Sequence, residues 1–206
     1  MSREVVLIRH AESEMNVQPG LIGGRSNWAP ITERGREQAA TLGLYLVRNE
    51  LIPSKVISSP AIRTLQTAEH SLAAMGLNRQ VEVDDAVQEL DQGDWEGKVR
   101  DEIYTSEIKD LMKAMNGNFR SPNGESPRDA ARRMYASLSS HAETLEEDGA
   151  VHVYSHGFAI RSLVGMLNGW NHQEVLLATT DNTSLTRLKY DGHLAVTDFA
   201  RMPEPL

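Results

Sequence analysis

Short apolar runs rich in β-branched residues alternate along this chain with longer stretches of helical periodicity, and no other feature limits the fold so strongly. Val5-Val6-Leu7-Ile8 is a four-residue apolar run, as a strand covered on both faces requires. Thr32 is placed to cap a helix running to about Asn49, with Ala39, Leu42 and Leu46 at helical spacing. Lys55 to Ser58 reads as a second strand, and Ser59-Pro60 as the cap and first position of a helix to about Ala74. Gln80 to Val83 is a third strand and Val99 to Met115 a helix. Asn116 to Pro127, with Gly117, Pro122 and Gly124, is the one long irregular segment. Ser126-Pro127 opens a helix to near Asp148-Gly149, Ala150 to Tyr154 is a strand and Phe158 to Leu167 a helix. Ser184 to Lys189 and Leu194 to Phe199 flank Asp191-Gly192 as a hairpin. This order predicts an α/β fold of three layers, α/β/α, around a mostly parallel sheet of about six strands. One domain is expected over residues 1–206, with a helical insertion at about 98–146.

Composition excludes whole classes of function. The 206 residues include no cysteine, which removes disulfides, thiolate nucleophiles, thiolate zinc sites and iron–sulfur clusters, and fits a reducing cytosol. With 21 Lys and Arg against 29 Asp and Glu, the formal net charge is −8, so nucleic acid and anionic membranes are not expected as partners. Met1 to Ile8 lacks the cationic and apolar regions of a secretory signal, and no apolar run approaches the ~20 residues of a membrane span. A cytoplasmic location is expected, and any anion site must be local.

In a parallel α/β sheet, ligands sit beyond the carboxyl ends of the strands. Arg9-His10 follows the first strand, Ser58-Ser59-Pro60 the second with Arg63 one turn into the helix, and Ser155-His156-Gly157 the strand at 150–154. Three strand ends thus bring two arginines and two histidines to one edge, and Glu89 lies in the loop after the third strand. Two arginines beside a helix amino terminus can offer forked donors to phosphate oxygens. A neutral histidine beside them can attack phosphorus, because the arginine charges lower its pKa. A second histidine can stabilise charge in the transition state, and Glu89 can protonate the leaving oxygen.

These residues carry a family resemblance. Arg9-His10-Ala11-Glu12-Ser13 with Asn16, Thr32-Glu33-Arg34-Gly35, Ser58-Ser59-Pro60-Ala61-Ile62-Arg63-Thr64-Leu65-Gln66-Thr67-Ala68, Glu89-Leu90-Asp91-Gln92-Gly93-Asp94-Trp95-Glu96-Gly97 and Ser155-His156-Gly157 stand in the order of the histidine phosphatase, or phosphoglycerate-mutase-like, superfamily, which the chain resembles. The resemblance implies that His10 becomes phosphohistidine and that Glu89 is the general acid and later the base for water. It implies that Arg9, Arg63, His156 and Asn16 bind the phosphate, that Gly23 joins them from the rim, and that catalysis needs no metal or other cofactor. Ala11 stands where the family usually has glycine. Glu89 and His156 are 67 residues apart, shorter than in the cofactor-dependent mutases, and this favours hydrolysis over return of the phosphoryl group.

Each residue also has a plainer reading. Either histidine could be an ordinary buried side chain, Arg63 could pair with Glu69 on its own helix, and Glu89 could be one more acid of a solvated loop with Asp84, Asp85, Asp91, Asp94 and Glu96. Gly20 to Arg25 lacks the spacing and lysine of a P-loop and reads as a rim. The expected function is hydrolysis of a small phosphorylated metabolite. A phosphoglycerate-type mutase and a catalytically silent phospho-ligand or protein-binding module are the alternatives, and a homodimer is admitted. Specificity is expected from 17–30 and 91–125, with Arg25, Trp28, Arg100 and Arg120 as candidate contacts.

Overall fold

The computed structural model describes residues 3–204. Strand β1 (Arg3–Arg9) is followed by α1 (Glu33–Arg48), β2 (Lys55–Ser58), α2 (Ile62–Ala74) and β3 (Val81–Val83). Then come α3 (Arg100–Ile103), α4 (Ser106–Met115), α5 (Pro127–Glu143), β4 (Ala150–Ser155), α6 (Gly157–Asn168), α7 (His172–Leu177), β5 (Leu185–Tyr190) and β6 (Leu194–Arg201). The six strands form one sheet in the order β3-β2-β4-β1-β5-β6. The first four run parallel, and β5 and β6 are antiparallel additions on the β1 side.

The four-residue apolar run explains the layering. Successive strand side chains point to opposite faces, so Val5 and Leu7 join Met134 and Leu138 of α5 and Ile160 and Leu163 of α6. Val6 and Ile8 face the other way, onto Leu42 and Leu46 of α1 and Ala68 and Leu72 of α2. All four are fully buried, each contributing about 1.5–3 kcal/mol by transfer from water.

The helical stretch expected at 98–146 has two unlike parts. The first, α3 and α4, buries no residue. The second, α5, opens with a capping box between Ser126 and Asp129 and with Pro127 in its first turn, and lies in the main core. Three boundaries and one added element differ from expectation. Thr105 caps a new helix where the pattern predicts one continuous helix. The expected helix to Asp148 stops at Glu143, before Glu146, Glu147 and Asp148, whose charges oppose the negative end of the helix dipole. The short α7 is an addition to the expected elements, held by a capping box between Asn171 and Glu174. Finally, α2 starts at Ile62, with Ala61 at the cap position and no side-chain cap.

The register positions the site. Arg9 of β1 lies beside Ser155 of β4, and Ser58 of β2 beside Tyr154, so three strands end nearly flush. Beyond them the His10 N–H donates to the Ser155 carbonyl at 3.0 Å.

Candidate active site

A cavity of about 850 Å³ opens at these strand ends. Arg9, His10, Asn16, Gly23, Arg63 and Glu89 line it. His156 is fully buried beside them, its ring centroid 5.3 Å from that of His10.

His10 is 4% exposed. Its Nδ1 lies 2.7 Å from the Ala11 carbonyl oxygen, which can only accept, so Nδ1 carries the proton and Nε2 the lone pair. Burial, then the charges of Arg63 and Arg9, hold its pKa well below the usual histidine value. The methyl of Ala11, where the family usually has glycine, packs with Ile31 and Ala39, and its N–H donates to Thr67 Oγ1 at 3.0 Å.

Arg9 donates from Nη1 to the Thr180 carbonyl at 2.6 Å, while its Nε is buried without a partner among the described residues. An orphaned charged donor of this kind is costly unless a ligand oxygen meets it. Gly157 makes room for this side chain, since a Cβ there would stand 3.2 Å from Arg9 Nε. Arg63 is turned inward, away from Glu69. Nη1 donates to the Ser26 carbonyl at 2.8 Å, and Nη2 to the Arg25 carbonyl at 2.9 Å and to His156 Nδ1 at 3.0 Å. Burial, against the opposing pull of Glu89 and Glu96, lowers Arg63 to about 10, so it stays cationic at neutral pH. Burial, followed by the Arg63 charge, also holds His156 well below its usual value. Both of its ring nitrogens are engaged, the second with Ser59 Oγ at 2.7 Å.

Asn16 accepts at Oδ1 from Ser13 N–H at 3.0 Å, which leaves its amide NH₂ to the cavity. Asn182, which no sequence motif singles out, donates to the His10 carbonyl at 2.9 Å and to Asn16 Oδ1 at 3.3 Å.

Glu89 is the only acid among 84, 85, 89, 91, 94 and 96 that lines the cavity. Its carboxylate sits at the amino terminus of α6, accepting from Ala159 N–H at 2.8 Å and Phe158 N–H at 3.1 Å. Arg133 fixes the loop beneath it by donating to the carbonyls of Ala86, Gln88 and Glu89 at 2.8, 2.9 and 3.0 Å. As one of three arginines on α5, Arg133 gives no local signal in the sequence.

The rim at 17–30 and the segment at 91–125 meet as one wall. The Ile22 N–H donates to Lys98 O at 3.0 Å, Gly97 N–H to Ile22 O at 2.8 Å, and Arg100 N–H to Gly20 O at 2.7 Å. Gly24 is a position only glycine suits, with φ +51° and the Glu96 carboxylate where a Cβ would stand. Of the four candidate rim contacts, Arg100 alone lines the cavity. Arg25 turns to Asp91 at 3.3 Å and Glu125 at 3.8 Å, Arg120 pairs with Asp129 at 2.9 Å, and Trp28 is 62% exposed outside the cavity. Among the described residues no three His, Asp or Glu side chains gather where a metal could be held, and no helix is long and apolar enough to cross a membrane.

A sequence model of the histidine phosphatase superfamily (branch 1) matches residues 5–199. The chain belongs to that superfamily. A probable phosphoglycerate mutase of Yersinia pestis is 34% identical over 189 residues, covering 91% of this chain and 85% of the relative. Two solved structures share the fold of this superfamily member. A mycobacterial glucosyl-3-phosphoglycerate phosphatase superposes with a TM-score of 0.78 at 24% identity, covering 96% of this chain and 98% of the other. A phosphoserine phosphatase from Entamoeba histolytica, in complex with 3-phosphoglyceric acid, superposes with a TM-score of 0.80 at 24% identity, covering 95% of each chain.

Proposed function

We propose that this histidine phosphatase superfamily member hydrolyses a phosphomonoester through a phosphohistidine on His10. The observation that carries the reading is the state of His10: Nδ1–H tied to Ala11, the ring held neutral, and Nε2 without a protein partner among the described residues beside two arginines. Nε2 attacks phosphorus while the bond from phosphorus to the ester oxygen breaks, and Glu89 delivers the proton that makes the departing oxygen an alcohol. Glu89 then takes a proton from water as its oxygen attacks phosphohistidine, and His10 departs with its electron pair. The orphaned Nε of Arg9, the Asn16 amide and Arg63 face the phosphate oxygens, and His156 acts on them through Arg63. Two fixed guanidinium charges do the work a divalent cation would do, so the reaction runs without a metal. A cytoplasmic setting and a small phosphorylated substrate complete the reading.

A mutase reading is favoured by the names of the sequence relatives, which are phosphoglycerate mutases. The two reactions part after the phosphohistidine forms, so the products distinguish them. Purified protein is incubated in chelator with a panel of phosphorylated metabolites. Free phosphate together with a base-stable, acid-labile phosphoryl label, both lost in His10→Ala, is the expected result. An isomerised ester without free phosphate establishes the mutase instead, and an acid-stable label removes the histidine mechanism.

A further inference from the structure

The cavity of about 850 Å³ far exceeds what a phosphoryl group needs; drug-sized ligands occupy roughly 300–1,000 Å³. Its remaining lining describes the rest of the substrate. Trp95, Tyr104 and Phe119 form one contiguous aromatic stretch of it, with ring centroids 5.7 Å apart for Trp95 and Tyr104, edge-on, and 5.6 Å apart for Trp95 and Phe119. Met112 of α4 lines the same space. A trio that served only as a core for its surrounding loops would be sealed on all sides. Here all three rings open on the cavity, and Tyr104 and Phe119 are only half-buried.

Three Lys and Arg side chains line the cavity beyond the phosphate end. Arg161 gives Nε and Nη1 to backbone carbonyls, at 3.3 Å from Gly157 O, 3.2 Å from Leu176 O and 2.8 Å from Ala178 O, and its Nη2 has no hydrogen-bond partner among the described residues. Arg100 donates to the carbonyls of Pro19 and Leu21 at 3.3 and 3.4 Å and lies over the Tyr104 ring at 5.6 Å, which extends the aromatic stretch. Lys109 is exposed, where water screens it. The exposed Asp101 and Asp181 also line the cavity and repel a second anion.

The geometry points to a phosphomonoester whose alcohol part is bulky, with a planar aromatic or broad apolar face that packs on Trp95, Tyr104 and Phe119. This assignment rests on the hydrolase reading above.

The full-length protein is assayed for phosphate release from ethyl phosphate, 2-(2-naphthyl)ethyl phosphate, 3-phosphoglycerate and glucose 6-phosphate. The first two expel the same kind of primary alkoxide, so their ratio of kcat/KM reads contact rather than leaving-group chemistry. The naphthyl ester is expected to be favoured by about 100-fold. Tyr104→Ala and Phe119→Ala are each expected to reduce that ratio by about tenfold, while Tyr104→Phe keeps it. Equal kcat/KM for the two alkyl esters, or a preference for 3-phosphoglycerate or glucose 6-phosphate, overturns the assignment and leaves the hydrolase standing. No phosphate from any of the four overturns the hydrolase itself.

Discussion

Arg63 Nη2 lies 3.0 Å from Nδ1 of His156, and because a guanidinium only donates, this contact makes Nδ1 the acceptor and puts the ring proton on Nε2. Nε2–H then meets Ser59 Oγ at 2.7 Å. The Ser59 hydroxyl can donate to Thr64 Oγ1 at 2.9 Å, and that hydroxyl to the Ala61 carbonyl at 2.8 Å. Every donor in this chain has an acceptor, so the protein interior sets the tautomer of His156 and, through it, helps to hold the plane of Arg63.

Ser59→Ala tests the chain. It leaves a fully buried N–H without an acceptor, which costs about 1–3 kcal/mol of stability. His156, the partner of Arg63, loses the contact that orients its ring, so kcat/KM should fall by roughly tenfold or more. Urea unfolding and steady-state kinetics on one preparation measure both effects. Unchanged stability together with unchanged turnover would contradict this order of hydrogen bonds.

The pH profile reports on His10. Burial and the two arginines lower its pKa, and a histidine so lowered stays neutral, and nucleophilic, at every pH above the lowered value. Once the ionisation of the substrate phosphate is taken into account, kcat/KM should therefore show no acid limb centred near the ordinary histidine value of about 6.5. A limb at that value belonging to the free enzyme would show that His10 is not shielded as described.

Local pattern is enough for what is local. The run Val5 to Ile8 identifies a strand buried on both faces, and residues directly after strands, Arg9-His10 and His156, are legible as cavity candidates because the parallel topology decides where strand ends go. What depends on distant partners is not legible. Ser59 accepts locally from Ala61 N–H at 3.3 Å, as a cap would, but also meets His156, 97 residues away, at 2.7 Å. Arg25 has the position of a substrate contact but pairs with Asp91. Arg133 carries the backbone of the Glu89 loop from the middle of α5, where one more arginine on a helix means nothing by itself. The partners of His156 are equally illegible, since both ring nitrogens are engaged by neighbours on α2 and its approach loop.

Acid stability should reveal another buried ring. His152 on β4 is fully buried with neither ring nitrogen partnered among the described residues, and burial pushes its pKa down to about 3. The unfolded chain takes up this proton below about 6.5 and the folded one does not, so stability is lost as pH falls from about 6.5 towards 3. Between pH 7 and 5 this one group accounts for roughly 2 kcal/mol. His152→Leu should hold its stability at pH 7 and unfold less readily at pH 5 than the native chain. Equal losses in both proteins, read from denaturant midpoints at the two pH values, would place the acid sensitivity elsewhere.

Glu89 is separated from its acidic neighbours by the leaving group. An alkyl phosphate expels a strongly basic alkoxide and needs a proton as the bond breaks, whereas an activated aryl phosphate expels a stable phenoxide and hardly needs one. Glu89→Gln should therefore slow formation of phosphohistidine by about 100-fold or more on alkyl substrates and far less on aryl ones. Asp91→Asn and Asp94→Asn should show no such difference. Asp91 is engaged with Gly93 N–H and Arg25, and Asp94 with Asn123, all outside the cavity lining. Rapid-quench measurement of the first turnover isolates this step from the later attack of water, in which Glu89 is needed whatever the leaving group. Equal slowing of both substrate types by Glu89→Gln, or a differential loss in either aspartate variant, would take the proton donor's role from Glu89.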